Sequence, residues 1–219
     1  MNKEWSELNK SVQNQLKKEE TFAPGMETLL KLRQQLMREL LCMKRELSGE
    51  EFCTMPFPNA EGYHSKTIAY SVWHIFRIED IVVNSLIRNE PEVLLGFTDK
   101  IGTSVITTGN ELAGSQIVDF SKSLDLDVLY AYALAVKDTT DSLLRQFAYS
   151  DLKRTFKEAD KERLRLLQVV STDDRACWLI DFWCGKNIRG LIQMPFSRHW
   201  IMHIEACKRI ASPKNLDRR

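Results

Sequence analysis

Residues 26–47 read METLLKLRQQLMRELLCMKREL. Leu29, Leu32, Leu36, Leu40, Met43 and Leu47 recur at alternating three- and four-residue steps. Side chains spaced in this way share one face of an α-helix, so the stretch predicts a long helix with a single buried stripe. Ser48-Gly49 closes it. The pattern returns further on. Ile68, Val72, Ile75, Ile78, Val82 and Leu86 line a second helix over about residues 65–89. Glu90-Pro91 ends that helix, because the residue before a proline disfavours the α conformation. Leu126, Leu129, Ala133, Val136, Thr140, Leu143 and Phe147 trace a heptad seam on a third helix, residues 125–149. A last helix falls within PFSRHWIMHIEACKRI, residues 195–210, where Pro195 suits the first turn.

The segments between these helices are less regular. Residues 1–24 are a polar lead-in with one short helix, punctuated by Pro24-Gly25. EFCTMPFPNAEGYH, residues 51–64, carries Pro56, Pro58 and Gly62 and reads as a loop. Residues 96–116, GFTDKIGTSVITTGNELAGSQ, show no period and form a long connection, either a pocket wall or a plain surface crossover. DLKRTFKEADKERLRLL, residues 151–167, reads as a partly helical, solvated charged face. Ser171 with Asp174 has the pattern of a capping box opening a helix through ACWLIDFW. Alternation of the strand kind is confined to a few residues near Val105. The expected fold class is therefore all-α: a four-helix bundle with long crossover connections and extra short helices. Its expected plan is a lead-in over 1–24, one helical domain over 25–212 and a tail over 213–219.

Charge and composition remove several classes of function. With 31 basic and 30 acidic residues the formal net charge is +1. No phosphate-tracking surface follows from that balance, and a nucleic-acid partner is not expected. No apolar run reaches bilayer-spanning length, and the polar start MNKEWSELNKSVQNQLKKEE has no signal-peptide core. The expected location is cytoplasmic, away from membranes. Cys42, Cys53, Cys177, Cys184 and Cys207 are scattered and odd in number, with no CxxC pair. They read as free thiols in a reducing compartment rather than as a zinc ribbon or redox dithiol.

The chain has four histidines, and two of them, His199 and His203, lie four residues apart on the last helix. At about 100° per residue they share one direction to within about 40°. Phe196, Met202, Ala206, Cys207 and Ile210 surround that direction, while Arg198, Glu205, Lys208 and Arg209 lie opposite. Both imidazoles thus sit in an apolar stripe, where each needs a partner. Either they are hydrogen-bonded core histidines, or one cation satisfies both, since the i, i+4 spacing suits chelation. His74, on the shoulder of the second helix, supplies a third nitrogen if the two helices face each other. Three protein nitrogens leave at least one position open on a cation. His64, in the proline-rich loop, is not expected to be a ligand. Cys207 extends the pattern to HxxxHxxxC, either as a fourth ligand, as a reactive thiol or as a small buried side chain. Trp73, Trp183, Phe196 and Trp200 are either pocket walls or simple core.

TIAYSVWHIFRIED, residues 67–80, and GLIQMPFSRHWIMHIEACKRI, residues 190–210, together resemble the DinB-like (DinB/YfiT) superfamily of metalloenzymes. Order, spacing and helix placement match over about residues 26–210. The resemblance implies a four-helix bundle with a long crossover and a divalent metal, commonly zinc or nickel, held by His74, His199 and His203. It also implies a small-molecule substrate, a homodimer and, for the members with transferase or isomerase activity, a low-molecular-weight thiol.

Three neutral imidazoles leave a cation's charge uncompensated, which favours an anionic further ligand derived from water or from a thiol. Water leads to hydrolysis and a thiol to S-transfer; the resemblance favours S-transfer. Hydrolysis calls for a general base. Glu79 and Asp80 are the nearest acids to His74 in sequence. Glu79 is turned away from His74, either as a distant base or as a carboxylate paired with Arg77 or with a basic residue of a neighbouring helix. The HExxH pattern of a zinc protease is absent. Three functional readings follow: a metal-dependent enzyme, a non-catalytic module that binds metal or a small ligand, and a metal-free scaffold with histidines in its core.

Overall fold

The computed structural model describes residues 2–212, so the expected tail over 213–219 lies outside the described residues. Every regular element among the described residues is helical, and there is no strand. In chain order these are α1 (Lys3–Gln15), α2 (Phe22–Glu46), α3 (Gly49–Cys53), α4 (Ile68–Asp80), α5 (Ser115–Ser123), α6 (Leu126–Gln146), α7 (Glu158–Leu166), α8 (Trp178–Cys184), α9 (Ile188–Gln193) and α10 (Arg198–Ala211). Beyond Asp80 the α4 helix widens without a break into a π-helix, Ile81–Arg88. Asn89 stops it in the left-handed region, at φ 55°, a conformation asparagine tolerates better than most residues.

The stripe expected on α2 is buried as read: Leu29, Leu32, Leu36 and Leu40 are fully covered. The seam of α6 buries Leu129, Ala133, Val136 and Thr140. The second helix differs from its expected one-sided pattern. Every residue from Ile68 to Ile87 is buried, so α4 and its π extension are covered all round. A helix enclosed on every side is a core helix, and its polar residues then need internal partners. α4 packs against α6, α10, α3 and α5; α10 also packs on α2, which touches α6. The first half of α4 joins one apolar cluster with Leu36, Leu40, Tyr132 and Ile204. The π half joins another with Leu29, Leu144, Leu191 and Phe196.

Other local expectations are corrected. Pro24 and Gly25 lie inside the first turns of α2 rather than ahead of it, where a proline displaces no intrahelical donor. The lack of a side chain at Gly25 lets α1 approach, since a Cβ there would lie 2.9 Å from that of Gln15. Ser171 and Asp174 cap no helix: the chain turns through Asp173, and α8 begins only at Trp178. The charged segment around α7 is not simply solvated. Arg163 donates to the carbonyls of Ser85 and Leu86, and Arg154 donates to that of Ile87. These bonds satisfy carbonyls at the end of the π-helix that have no helical partner.

Asp80, at the junction of the two helical forms, ties the following turn to the core. Its carboxylate accepts from the backbone N–H groups of Val93 and Leu94, both at 2.9 Å. It also accepts from the Asn84 amide at 2.7 Å and the Tyr132 hydroxyl at 3.0 Å. Removing a buried carboxylate strands those donors. Asp80→Ala is therefore expected to destabilise the fold by about 3–5 kcal/mol, the range for breaking a buried ionic network. Urea unfolding of the variant beside wild type checks this.

Candidate metal centre

Thr67 begins α4. Its side chain accepts from the Tyr70 N–H at 3.1 Å, and its hydroxyl meets that of Ser121 on α5 at 2.6 Å. Two turns on, His74 projects toward α10. There His199 and His203, one turn apart, project back toward it. The ring centroids are 5.2 Å apart for His74 and His199, 4.8 Å for His74 and His203, and 4.6 Å for His199 and His203. One nitrogen from each ring lies within 4.8 Å of the other two. The three histidines form a buried cluster able to hold a metal ion. Around a tetrahedral zinc, with bonds of about 2.0–2.1 Å, ligand nitrogens lie about 3.4 Å apart, so small ring rotations suffice to close the set.

The hydrogen bonds fit that use. His74 Nδ1 lies 2.8 Å from the carbonyl oxygen of Thr108. A carbonyl only accepts, so Nδ1 carries the proton and Nε2 keeps its lone pair. His199 Nδ1 and both ring nitrogens of His203 are buried without a hydrogen-bond partner. Such groups are costly to bury. Burial holds His74 down to about 4, against the opposing effect of its Thr108 bond. His199 and His203 are held well below the usual imidazole range, first by burial and then by neighbouring histidines. All three are therefore neutral at physiological pH, the state in which imidazole binds a metal.

The Gly96–Gln116 connection proves to be a wall of this site. Besides Thr108, the Thr107 carbonyl accepts from Trp73 Nε1 at 3.2 Å, and the Gly109 carbonyl accepts from the Tyr70 hydroxyl at 3.0 Å. The Tyr70 ring lies parallel to His74, with centroids 5.6 Å apart. Lys66 Nζ lies over the Tyr70 ring, 5.0 Å from its centroid. Tyr63 meets His203 edge-on at 4.6 Å. Loop carbonyls and ring stacking leave no periodic trace, so sequence reasoning missed Tyr63, Lys66, Tyr70 and Thr108.

The remaining candidates resolve differently. His64 lies apart from the cluster, with Nε2 3.0 Å from Arg209 Nη1. Cys207 is not among the clustered ligands. Burial pushes its thiol up to about 12, and it packs as a small core side chain beside Ser71. Glu79 pairs with a neighbouring helix, as one of its two readings held, but through Arg33 of α2 rather than Arg77. Arg33 donates to both carboxylate oxygens, at 2.7 and 3.0 Å, and Trp200 Nε1 adds a bond of 2.8 Å. Arg77 instead bonds to Glu92 at 2.5 Å. Of the four aromatic candidates, Trp183 lines the cavity beside the histidines, while Trp73, Phe196 and Trp200 are core.

No protein-family model matches this sequence, and no curated protein is similar to it.

Buried neutral imidazoles link stability to pH. Unfolded histidines titrate near pH ~6.5 and the folded ones lower, so on acidification the unfolded chain takes up protons first. The contribution of these residues is complete above pH ~6.5 and is lost progressively as the pH falls, for His74 down to about 4 and for the other two through the acid range below their usual titration. The melting temperature of chelator-treated protein is expected to drop across this window. A His199→Gln/His203→Gln double variant should show a shallower drop under the same scan.

Proposed function

We propose that this protein is a metal-dependent enzyme of the DinB-like kind, with zinc or nickel held by His74, His199 and His203. In this reading α2, α4, α6 and α10 form the four-helix bundle, with the connections between them as crossovers. The observation that carries it is the convergence of three buried imidazoles, two of which have ring nitrogens with no other partner. A bound divalent cation supplies Lewis acidity, which lowers the proton affinity of a thiol or water beside it. The chain's own groups do the rest. The Thr108 carbonyl keeps the proton of His74 on Nδ1, Tyr70 and Tyr63 fix two of the rings, and α8 screens the site from water.

Thiol-dependent S-transfer to a small electrophile is favoured over hydrolysis. Both oxygens of Glu79 are committed to Arg33 and Trp200, so it is not poised as a base. Among the described residues lining the adjoining cavity there is no carboxylate. A thiol on a divalent cation ionises without a protein base, whereas hydrolysis is usually assisted by one. The low-molecular-weight thiol, the small-molecule substrate, the homodimer and the cytoplasmic location rest on the resemblance. The non-catalytic reading keeps the same metal site with no turnover. No helix among the described residues is long and apolar enough to cross a membrane.

Untagged protein should carry about one equivalent of zinc or nickel per chain by elemental analysis. His203→Ala should retain less than about a tenth of it, because two imidazoles remain. Chelator should lower the melting temperature of wild type, since the ion binds only the folded state. Wild type that stays metal-free after zinc and nickel are supplied would refute the reading. In a screen of biological thiols against electrophiles, activity undiminished in His203→Ala would refute the enzyme and leave the fold intact.

A further inference from the structure

Next to the histidines lies a cavity of about 170 Å³ whose wall includes His74 and His199. The rest of its wall is mostly apolar. Trp178, Phe182 and Trp183 come from α8, Tyr63 from the loop before α4, and Met194 and Pro195 from the turn before α10. Trp178 and Phe182 meet edge to face, with centroids 5.5 Å apart. Trp183 and Pro195 are buried, whereas Trp178 is 47% exposed and forms the rim. No Asp, Glu, Lys or Arg lines the cavity among the described residues.

Size and charge together narrow what fits. An apolar cavity of about 150 Å³ accommodates one benzene ring. The volume here thus suits a single six-membered ring with a small polar group, and it is too small for a peptide-like thiol to enter whole. Aromatic walls meet an inserted ring edge-on or offset, a geometry that adds to burial. The electrostatics select the other end of the ligand. Three neutral imidazoles and an uncharged wall leave a divalent cation uncompensated, so the group that reaches it is favoured as an anion.

We infer that this site binds a compact aromatic anion, its ring between Trp178, Phe182 and Tyr63 and its anionic group at the cation held by His74, His199 and His203. This inference rests on the metal-site reading above and adds the ligand class. A larger cosubstrate reaches the cation only with its sulfur end, from the Trp178 rim.

The test uses cobalt(II) in full-length protein, with the visible spectrum as readout for both parts of the claim. Cobalt should give a saturable spectrum in wild type that His203→Ala lacks. Three hydroxamates, which chelate through the same anionic head, are then titrated into the cobalt-loaded protein. Benzohydroxamate is expected to bind at least about tenfold tighter than acetohydroxamate, because its ring leaves water for an apolar wall. It should also bind tighter than 2-naphthohydroxamate, whose second ring exceeds the cavity. Trp178→Ala, at an exposed position, and Phe182→Ala should each cut the benzo-over-aceto preference about threefold or more while leaving the cobalt spectrum and acetohydroxamate affinity as in wild type. Equal affinities for the benzo and aceto compounds would overturn the proposal with the metal site intact. So would a preference that survives both substitutions, or naphtho binding as tight as benzo. No cobalt spectrum in wild type would overturn the metal site and this proposal together.

Discussion

Everything in the centre of this protein is arranged around one unfavourable fact: three imidazoles share a buried volume, and the Thr108 carbonyl secures one of them. Desolvation makes each ring neutral, which removes charge repulsion between them but leaves ring nitrogens of His199 and His203 unpaired. A core histidine kept for packing would find a carbonyl or hydroxyl, as His74 does in Thr108. With His74 Nε2, the unpaired nitrogens of the other two offer one lone pair from each of three rings, and one cation accepts all three where a water has two protons to give. The ordinary structural explanation of HxxxH, two satisfied core histidines, is therefore the one these contacts disfavour.

Holding such a set together requires that the rotation of α10 be fixed against α4. His199 and Trp200 are adjacent, so they point about 100° apart on the helix. Trp200 bonds to Glu79 on α4 and carries the Arg33 guanidinium over its ring at 4.6 Å. Arg33 also donates to the Phe196 carbonyl, just ahead of α10, and to Asp141 on α6. Burial alone would lower the proton affinity of Arg33, but Glu79 and Asp141 outweigh it and raise it. One guanidinium thus joins α2, α4, α6 and α10. A turn of α10 that carried His199 and His203 away from His74 would also strand the Trp200 indole N–H and break its bond to Glu79. Buried ion pairs add little net stability compared with apolar packing, but a misregistered one is expensive. Its use here is to specify one arrangement.

The helices and the shared face of His199 and His203 were legible in the sequence for the same reason, spacing along a single helix, whereas His74 joined them only through the expectation that two helices face each other. The stripes of α2 and α6 and the i, i+4 histidines follow from 3.6 residues per turn. What was illegible depends on contacts between segments far apart in the chain. Thr108 lies 34 residues from His74, and no local pattern announces that its carbonyl fixes the ring. Arg33 and Glu79 are 46 residues apart, so the partner of Glu79 was readable only as a class. The burial of α4 on every side was not legible because the groups that satisfy Arg77, Glu79 and Asp80 lie outside the helix: Glu92, Arg33 and the turn at Val93. The DinB-like resemblance drew its force from the order of two motifs, while the fit of the site stands on the geometry alone.

The charges inside the bundle finally separate structure from function. Arg33, Glu79, Arg77, Asp80, Lys137 and Asp141 are all buried, and each has an opposite charge within 3.6 Å. These charges pair among themselves and with Glu92; Arg77 Nη1 has no hydrogen bond but lies 3.6 Å from Asp80. The histidine cluster, one turn of α4 away, does the reverse: neutral, under-bonded, and bordered by a cavity to which the described residues add no charged side chain. A purely structural core gains nothing from this contrast, since apolar side chains in place of the three rings would remove the unpaired nitrogens and their cost. A centre that binds a cation needs it, because neutral donors and an uncharged wall leave the charge to be supplied by what binds.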